Sequence, residues 1–303
     1  TNGALYCWGD NNYGQVGNET TTTQTTPVEV LTDVASVNLG YYHTCAIKTN
    51  GVLYCWGLNE YGQIGNGTTT DQATPVQVLT GVASVSLGDY HTCAIKTNGT
   101  LYCWGYNDSG EVGNGTTIIQ RTPVQILTEV VSLSLRGKYT CVVKTNGTLY
   151  CWGRNDYGQI GNGTIVDQTT PVQVLTGVVS VSLGDEYTCA IKTNDALYCW
   201  GRNDYGQIGN GTNVTQPMPV EVLMDVASIS LGSNATVGDV HTCAIKTDGA
   251  LYCWGMNDAG QVGNQTTYSQ LMPAQILINI TSAGFESSHI CAVNSDKDLY
   301  CWG

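Results

Sequence analysis

The side chains best suited to metal or redox chemistry in this 303-residue chain are its 13 cysteines and four histidines, and both recur on a fixed beat. The cysteines pair off ten residues apart as Cys45 with Cys55, Cys93 with Cys103, Cys141 with Cys151, Cys189 with Cys199, Cys243 with Cys253 and Cys291 with Cys301, leaving Cys7 over. Paired thiols can bridge, bind zinc or fill a core, but the C-x-x-C spacing of zinc knuckles is absent. Strict co-occurrence also argues against independent apolar fillers. The histidines, His43, His91, His241 and His289, share one slot, which holds Tyr139 and Tyr187 in two other copies. A metal site would lose a ligand at each tyrosine, so the slot reads as a hydrogen-bonding structural position.

What positions these residues is a repeat. Trp8, Trp56, Trp104, Trp152, Trp200, Trp254 and Trp302 follow one another at 48 residues, with one gap of 54 where residues 233–238 are inserted. In the copy from His91 to Gly105, two β-prone runs flank Thr97-Asn98-Gly99, the chemistry of a three-residue hairpin loop with Gly99 in the left-handed position of a bulge. That loop sets the register: Ile95 faces Leu101, Ala94 faces Tyr102 and Cys93 faces Cys103. Counting outward, the cysteines fall at a non-hydrogen-bonded pair, whose Cα atoms lie close enough for a disulfide. The same register in the other copies predicts six intra-hairpin disulfides, and with them an oxidising compartment. The tryptophans read as packing residues.

Each period holds four short strands. They are A (Val34 to Leu39), B (Thr44 to Lys48), C (Leu53 to Trp56) and a Pro-led edge strand D (Pro75 to Leu79), repeating onward. Four-stranded antiparallel units at this period predict an all-β protein, a β-propeller of six to seven blades with about 48 residues per repeat. Residues 1–303 read as one propeller domain that starts and ends within a repeat, as a segment of a longer protein would. Blade number turns on Cys7, which competes with Cys301 for Cys291.

A formal net charge of −13 argues against a general electrostatic footprint for nucleic acid or an anionic membrane. No apolar run reaches the length of a membrane span. Sequons at Asn18, Asn66, Asn98, Asn114, Asn146, Asn162 and Asn210 would accept N-glycans in a eukaryotic secretory host. The loop after each tryptophan carries Asn and Asp, as at Asn155, Asp156 and Asn162, yet lacks the alternating carboxylates and closing Glu of a calcium loop. No nucleophile elbow or phosphate loop occurs either. The expectation is therefore a protein without catalytic residues, metal or cofactor.

In the copy from Gly88, G-x-x-H-[ST] leads into the hairpin, then a W-G-x-N-x-x-G-Q-[LIV]-G element, then the Pro-led strand, as Gly88-Asp89-Tyr90-His91-Thr92, Trp104 to Gly113 (with Glu111 at the Gln position) and Pro123-Val124, and several of these spaced elements coincide in every copy. Over its whole length the chain thus resembles the regulator of chromosome condensation family. The resemblance implies a propeller, commonly of seven blades, used for protein recognition. The founding member's role, nucleotide exchange on a small GTPase with chromatin binding, involves basic segments that this acidic chain lacks. The paired cysteines look more like secreted relatives, including inhibitors that clamp an enzyme on one propeller face.

Comparing copies separates positions that serve the fold from positions free for recognition. Strand direction places the A–B and C–D loops on one face, and these loops vary. The candidate partner face comprises Tyr41, Tyr42, Tyr106, Lys138, Arg154, Arg202 and Met256, with the 233–238 insertion on the same side. Tyr, Arg and Met are types enriched at protein interfaces. The reading is a non-catalytic, extracellular or cell-surface scaffold that binds a protein through this face; an exchange-factor-like regulator and an enzyme-clamping inhibitor are the alternatives.

Overall fold

The computed structural model of the chain describes residues 3–234, 239–286 and 289–303, and its regular structure is all β. Leu5–Gly9 and Gln24–Leu31 form a two-stranded sheet; five four-stranded antiparallel sheets follow, each in the order A-B-C-D; Ile280–Glu286, His289–Asn294 and Leu299–Trp302 form a three-stranded one. The chain divides into two compact units. The first is Thr1–Thr145 with Cys151–Arg154 and Asp167–Val172, and the second is Asn146–Tyr150, Asn155–Val166 and Gln173–Gly303.

One copy shows how the sequence builds a sheet. Strand A is Val82–Leu87, B is His91–Lys96, C is Leu101–Gly105 and D is Gln120–Leu127. The Gly99 amide donates to the Lys96 carbonyl at 2.9 Å and the Lys96 amide to the Thr100 carbonyl at 2.9 Å, with Gly99 at φ +77°. The register that follows pairs Ile95 with Leu101, Ala94 with Tyr102 and Cys93 with Cys103, as the loop chemistry requires. The facing cysteines have Cα atoms 4.1 Å apart and are bonded. All six predicted disulfides are present. Cys291 takes Cys301, and Cys7 is free.

Strand D begins earlier than its proline suggests. In the preceding copy it runs Gln72–Leu79, and its register jumps from Gln72 opposite Gly57 to Val76 opposite Cys55. Pro75 lies inside that bulge, where a missing N–H breaks no ladder bond. The insertion's first residues, Ser233 and Asn234, extend strand A opposite Val240 and Asp239; residues 235–238 lie outside the described residues.

The core sits in strands B and C. His91 to Ile95 are buried without alternation, the pattern of a strand covered on both faces. In the first unit Cys45, Cys55, Ile47 and Leu53 pack against Val82, Val85, Ala94 and Trp104 of the next sheet. In the second, Cys189, Cys199, Ile191 and Leu197 pack likewise against Val226, Ala244 and Trp254. Hydrogen bonds clamp the same seams. Trp104 Nε1 donates to the Gln63 carbonyl at 2.9 Å, and the Thr92 hydroxyl donates to that oxygen at 2.8 Å. Trp254 and Thr242 treat the Gln207 carbonyl in the same way. The glycine of G-Q-x-G makes room for the indole: a Cβ on Gly113, at φ +83°, would lie 2.6 Å from Trp152 Nε1.

Candidate functional site

The A–B and C–D loops meet by backbone hydrogen bonds in each unit. The residue after Trp-Gly donates its amide to the residue before the histidine slot, as Tyr106 to the Tyr90 carbonyl, Arg154 to Lys138, Arg202 to Glu186 and Met256 to Val240, all at 2.9 Å. These loops therefore share a face, as strand direction implied. The D–A and B–C turns are tied at the other end, where the Thr97 amide donates to the Gly81 carbonyl at 2.9 Å.

In the first unit the loop face carries a continuous stripe of tyrosines. Ring centroids lie 4.9 Å apart for Tyr13 and Tyr42, 4.4 Å for Tyr42 and Tyr41, and 6.3 Å for Tyr41 and Tyr90. They lie 5.3 Å apart for Tyr90 and Tyr61 and 5.0 Å for Tyr61 and Tyr106. Lys138 ends the stripe, its Nζ 4.8 Å from the Tyr106 ring centre. The contacts are tilted or edge-on, the arrangements that aromatic quadrupoles favour. Tyr41 is 56% exposed, while the other rings are half-buried. Partial burial, together with nearby carboxylates, holds Tyr61, Tyr90 and Tyr106 above the usual phenol range, so these three phenols are neutral at physiological pH.

The second unit builds a different corner from the same loops. Arg202 lies over the Tyr157 ring at 5.0 Å, its Nη1 donates to Glu186 at 2.8 Å, and its Nε donates to Asp204 at 2.6 Å. Met256 is half-buried there, and Arg154, in the first unit, is half-buried too. Of the seven face residues expected from sequence, the structure joins Tyr41, Tyr42, Tyr106 and Lys138 into one surface. Tyr13, Tyr61 and Tyr90 complete it. Tyr13 and Tyr61 come from the slot two residues after the loop asparagine, which also varies among copies, holding Ser109 and Ala259 in two of them, and variation there is a signal that could have found them.

The histidine slot is structural. His43 Nε2 lies 3.0 Å from the Thr92 hydroxyl oxygen, whose own hydrogen goes to the Gln63 carbonyl, so Nε2 carries the ring proton. His91 repeats the chain through Thr140 to the Glu111 carbonyl. Burial, joined for His43 by the charge of His91, lowers both imidazoles to about 3. The preceding glycine is needed, since a Cβ on Gly88 would meet His91 Cε1 at 2.3 Å. In the second unit the Tyr187 hydroxyl donates to the His241 carbonyl at 2.9 Å, which explains how Tyr can hold the slot.

The loop asparagines are likewise occupied. Asn107 Oδ1 accepts the Val112 amide, and its Nδ2 donates to the carbonyls of Thr116 and Ile118. Among the described residues no three His, Cys, Asp or Glu side chains converge as a metal site. One substitution stands out. Glu111 replaces the Gln found in the other copies; it is buried, its Oε1 has no partner, and burial first of all raises its carboxyl to about 7.

Successive four-stranded antiparallel sheets, each clamped to the next by a tryptophan and a threonine on one loop carbonyl, define a β-propeller built from repeats. The model of the regulator of chromosome condensation (RCC1) repeat matches residues 2–47, 50–95, 98–143, 146–191, 194–245 and 248–293, and the chain belongs to that family. Among solved structures it is similar to yeast RCC1 (Prp20) bound to Kap60, with a TM-score of 0.76 and 21% identity over 98% of this chain and 78% of that one. Human WBSCR16 gives 0.73 and 21% over 95% and 80%. The receptor kinase CR4 ectodomain of Physcomitrella patens gives 0.53 and 19% over 89% and 63%. No curated protein sequence matches the chain.

Proposed function

We propose that the chain is a non-catalytic protein-recognition scaffold, working outside the cell or on its surface, that engages its partner through the A–B and C–D loops. The observation that carries this reading is a division of labour among positions. The Trp, Thr and disulfide slots recur in both units, while the loop face changes from a tyrosine stripe to an arginine–carboxylate corner. Positions free of the fold's demands are those available for recognition. Six disulfides support an oxidising compartment. Yeast RCC1 has been solved bound to Kap60 and studied for its binding to Gsp1p and histones, which supports protein recognition as the use of this fold.

A photo-crosslinking residue placed at Tyr106 or Arg202, against one placed at the B–C turn residues Asn98 or Asn194, tests the face in medium from the native source. Crosslinks from the loop positions alone support the reading. Equal or greater yield from the turns overturns it. Replacing Tyr106, Arg154 and Arg202 together by Ala is expected to abolish that partner's binding with thermal stability near wild type.

A further inference from the structure

We infer that the tyrosine stripe of the first unit takes an extended cationic peptide segment, whose arginine or lysine side chains lie on the phenol rings between flanking carboxylates. This rests on the loop face being the recognition surface and names the chemistry of what it recognises. Three observations carry it.

First, the rings offer a run of π faces. Lys138 covers Tyr106.

Second, carboxylates line the same run. Glu60 and Asp108 act on Tyr61 and Tyr106, and Asp10 and Asp89 on Tyr42 and Tyr90, each raising the phenol beside it. Asp10, Glu60 and Asp108 are themselves exposed. Three exposed carboxylates, Asp10, Glu60 and Asp108, therefore lie along the stripe. A guanidinium or ammonium is the group that gains from ring face and carboxylate together, and the net charge of −13 would speed its approach.

Third, the second unit satisfies this chemistry internally. The equivalent of the Tyr61 position is Tyr157, and over it lies Arg202, held by Glu186 and Asp204. By spacing, the Arg202 position is Leu58 in one first-unit copy and Tyr106 in the next. Where that copy lays its own arginine over the ring, Tyr106 sets a second ring against Tyr61, beside the exposed Asp108. The occupant's conformation follows from spacing: side chains two residues apart on an extended chain are separated by about 6.6 Å, close to the 6.3 Å between Tyr41 and Tyr90.

The test is calorimetric titration of the whole chain with alternating arginine–glycine, lysine–glycine and glutamine–glycine peptides of equal length, at low and high salt. The arginine peptide should bind, weaken with salt and exceed the glutamine peptide. Tyr41→Ala with Tyr61→Ala should lower its affinity by at least about tenfold, while Tyr41→Phe with Tyr61→Phe, which keeps the rings, should stay within about threefold. Unchanged affinity in the alanine variant would reduce the attraction to bulk charge and overturn the proposal, as would absence of arginine-peptide binding. Glutamine-peptide binding of equal strength that the alanine variant loses would overturn the cationic class while leaving the loop face as a recognition surface. Failure of that broader reading shows instead as crosslinking from the B–C turns.

Discussion

Two tryptophans with the same local sequence behave differently. Trp104 lies in Leu101–Gly105, is fully buried and donates to the Gln63 carbonyl. Trp8 lies in Leu5–Gly9, in a sheet of two strands, and is 61% exposed. With Tyr6, Cys7, Val37 and Leu39 it lines an open groove of about 520 Å³. Burial of the tryptophan is thus a property of the seam between sheets and not of the L-Y-C-W-G segment, because the segment itself is unchanged. The same holds for the cysteines: Cys103 is bridged because strand B faces it, whereas among the described residues Cys7 pairs only with strand D.

The largest effect should follow from breaking a seam. Trp104→Ala removes a buried indole and one of two donors to the Gln63 oxygen, and should destabilise the chain by about 3–5 kcal/mol in urea unfolding. Trp8→Ala should remain within about 1 kcal/mol. Equal losses would mean that the tryptophan acts within its own hairpin. Next comes the bridge. Cys93→Ser with Cys103→Ser reopens a short loop and should remove about 2.8 kcal/mol by chain entropy. Alkylation of the unfolded, unreduced protein should label a single cysteine, Cys7, against thirteen after reduction.

Buried titrating groups sharpen the same contrast between slots, in opposite directions. His43 and His91 have folded values of about 3 against an unfolded value near 6.5, so the unfolded chain binds protons first. Their contribution is complete above pH 6.5 and lost as pH falls toward 3; His43→Gln with His91→Gln, which keeps a donor toward threonine, should flatten that limb. Glu111 is the reverse. Its carboxyl titrates near 7 when folded and near 4.5 when unfolded, so its penalty grows as pH rises from 4.5 through 7. A protonated carboxyl stands in for the amide of glutamine at the other copies' positions. Glu111→Gln should therefore stabilise the chain at pH 8 by on the order of 1–2 kcal/mol and leave it unchanged at pH 4. Denaturant midpoints across pH measure both.

Much of this frame could be read from residues alone, for a physical reason. A three-residue loop with Gly99 admits one register, and the register puts Cys93 against Cys103 and fixes which loops share a face. Contacts between copies carry no such local signal. That Thr92 serves both His43 and Gln63 depends on how one sheet meets the next. Variation among copies marks Tyr41, Tyr42 and Tyr106, and Tyr13 and Tyr61 join them from a second variable slot, Ser109 and Ala259 in two copies, whose closeness to the A–B loops is set by how one sheet meets the next. The start of strand D at Gln72 was hidden for a related reason, because the bulge at Pro75 masks the pairing beyond it.

The smallest effect on stability is expected where the proposed effect on binding is largest. Tyr41 is 56% exposed and contacts only the rings of Tyr42 and Tyr90 among the aromatic pairs of the stripe. Tyr41→Ala removes those edge-on contacts and little buried area, so unfolding free energy should change by about 0.5 kcal/mol or less. Tyr139→Ala, in the fully buried histidine slot two copies further on, should lose several times more. If Tyr41→Ala destabilised the chain as much as Tyr139→Ala, the stripe would be part of the core packing, and its tyrosines would be explained by the fold. A variant that unfolds like wild type while losing its cationic peptide would separate the two sets of positions by function as the structure separates them by burial.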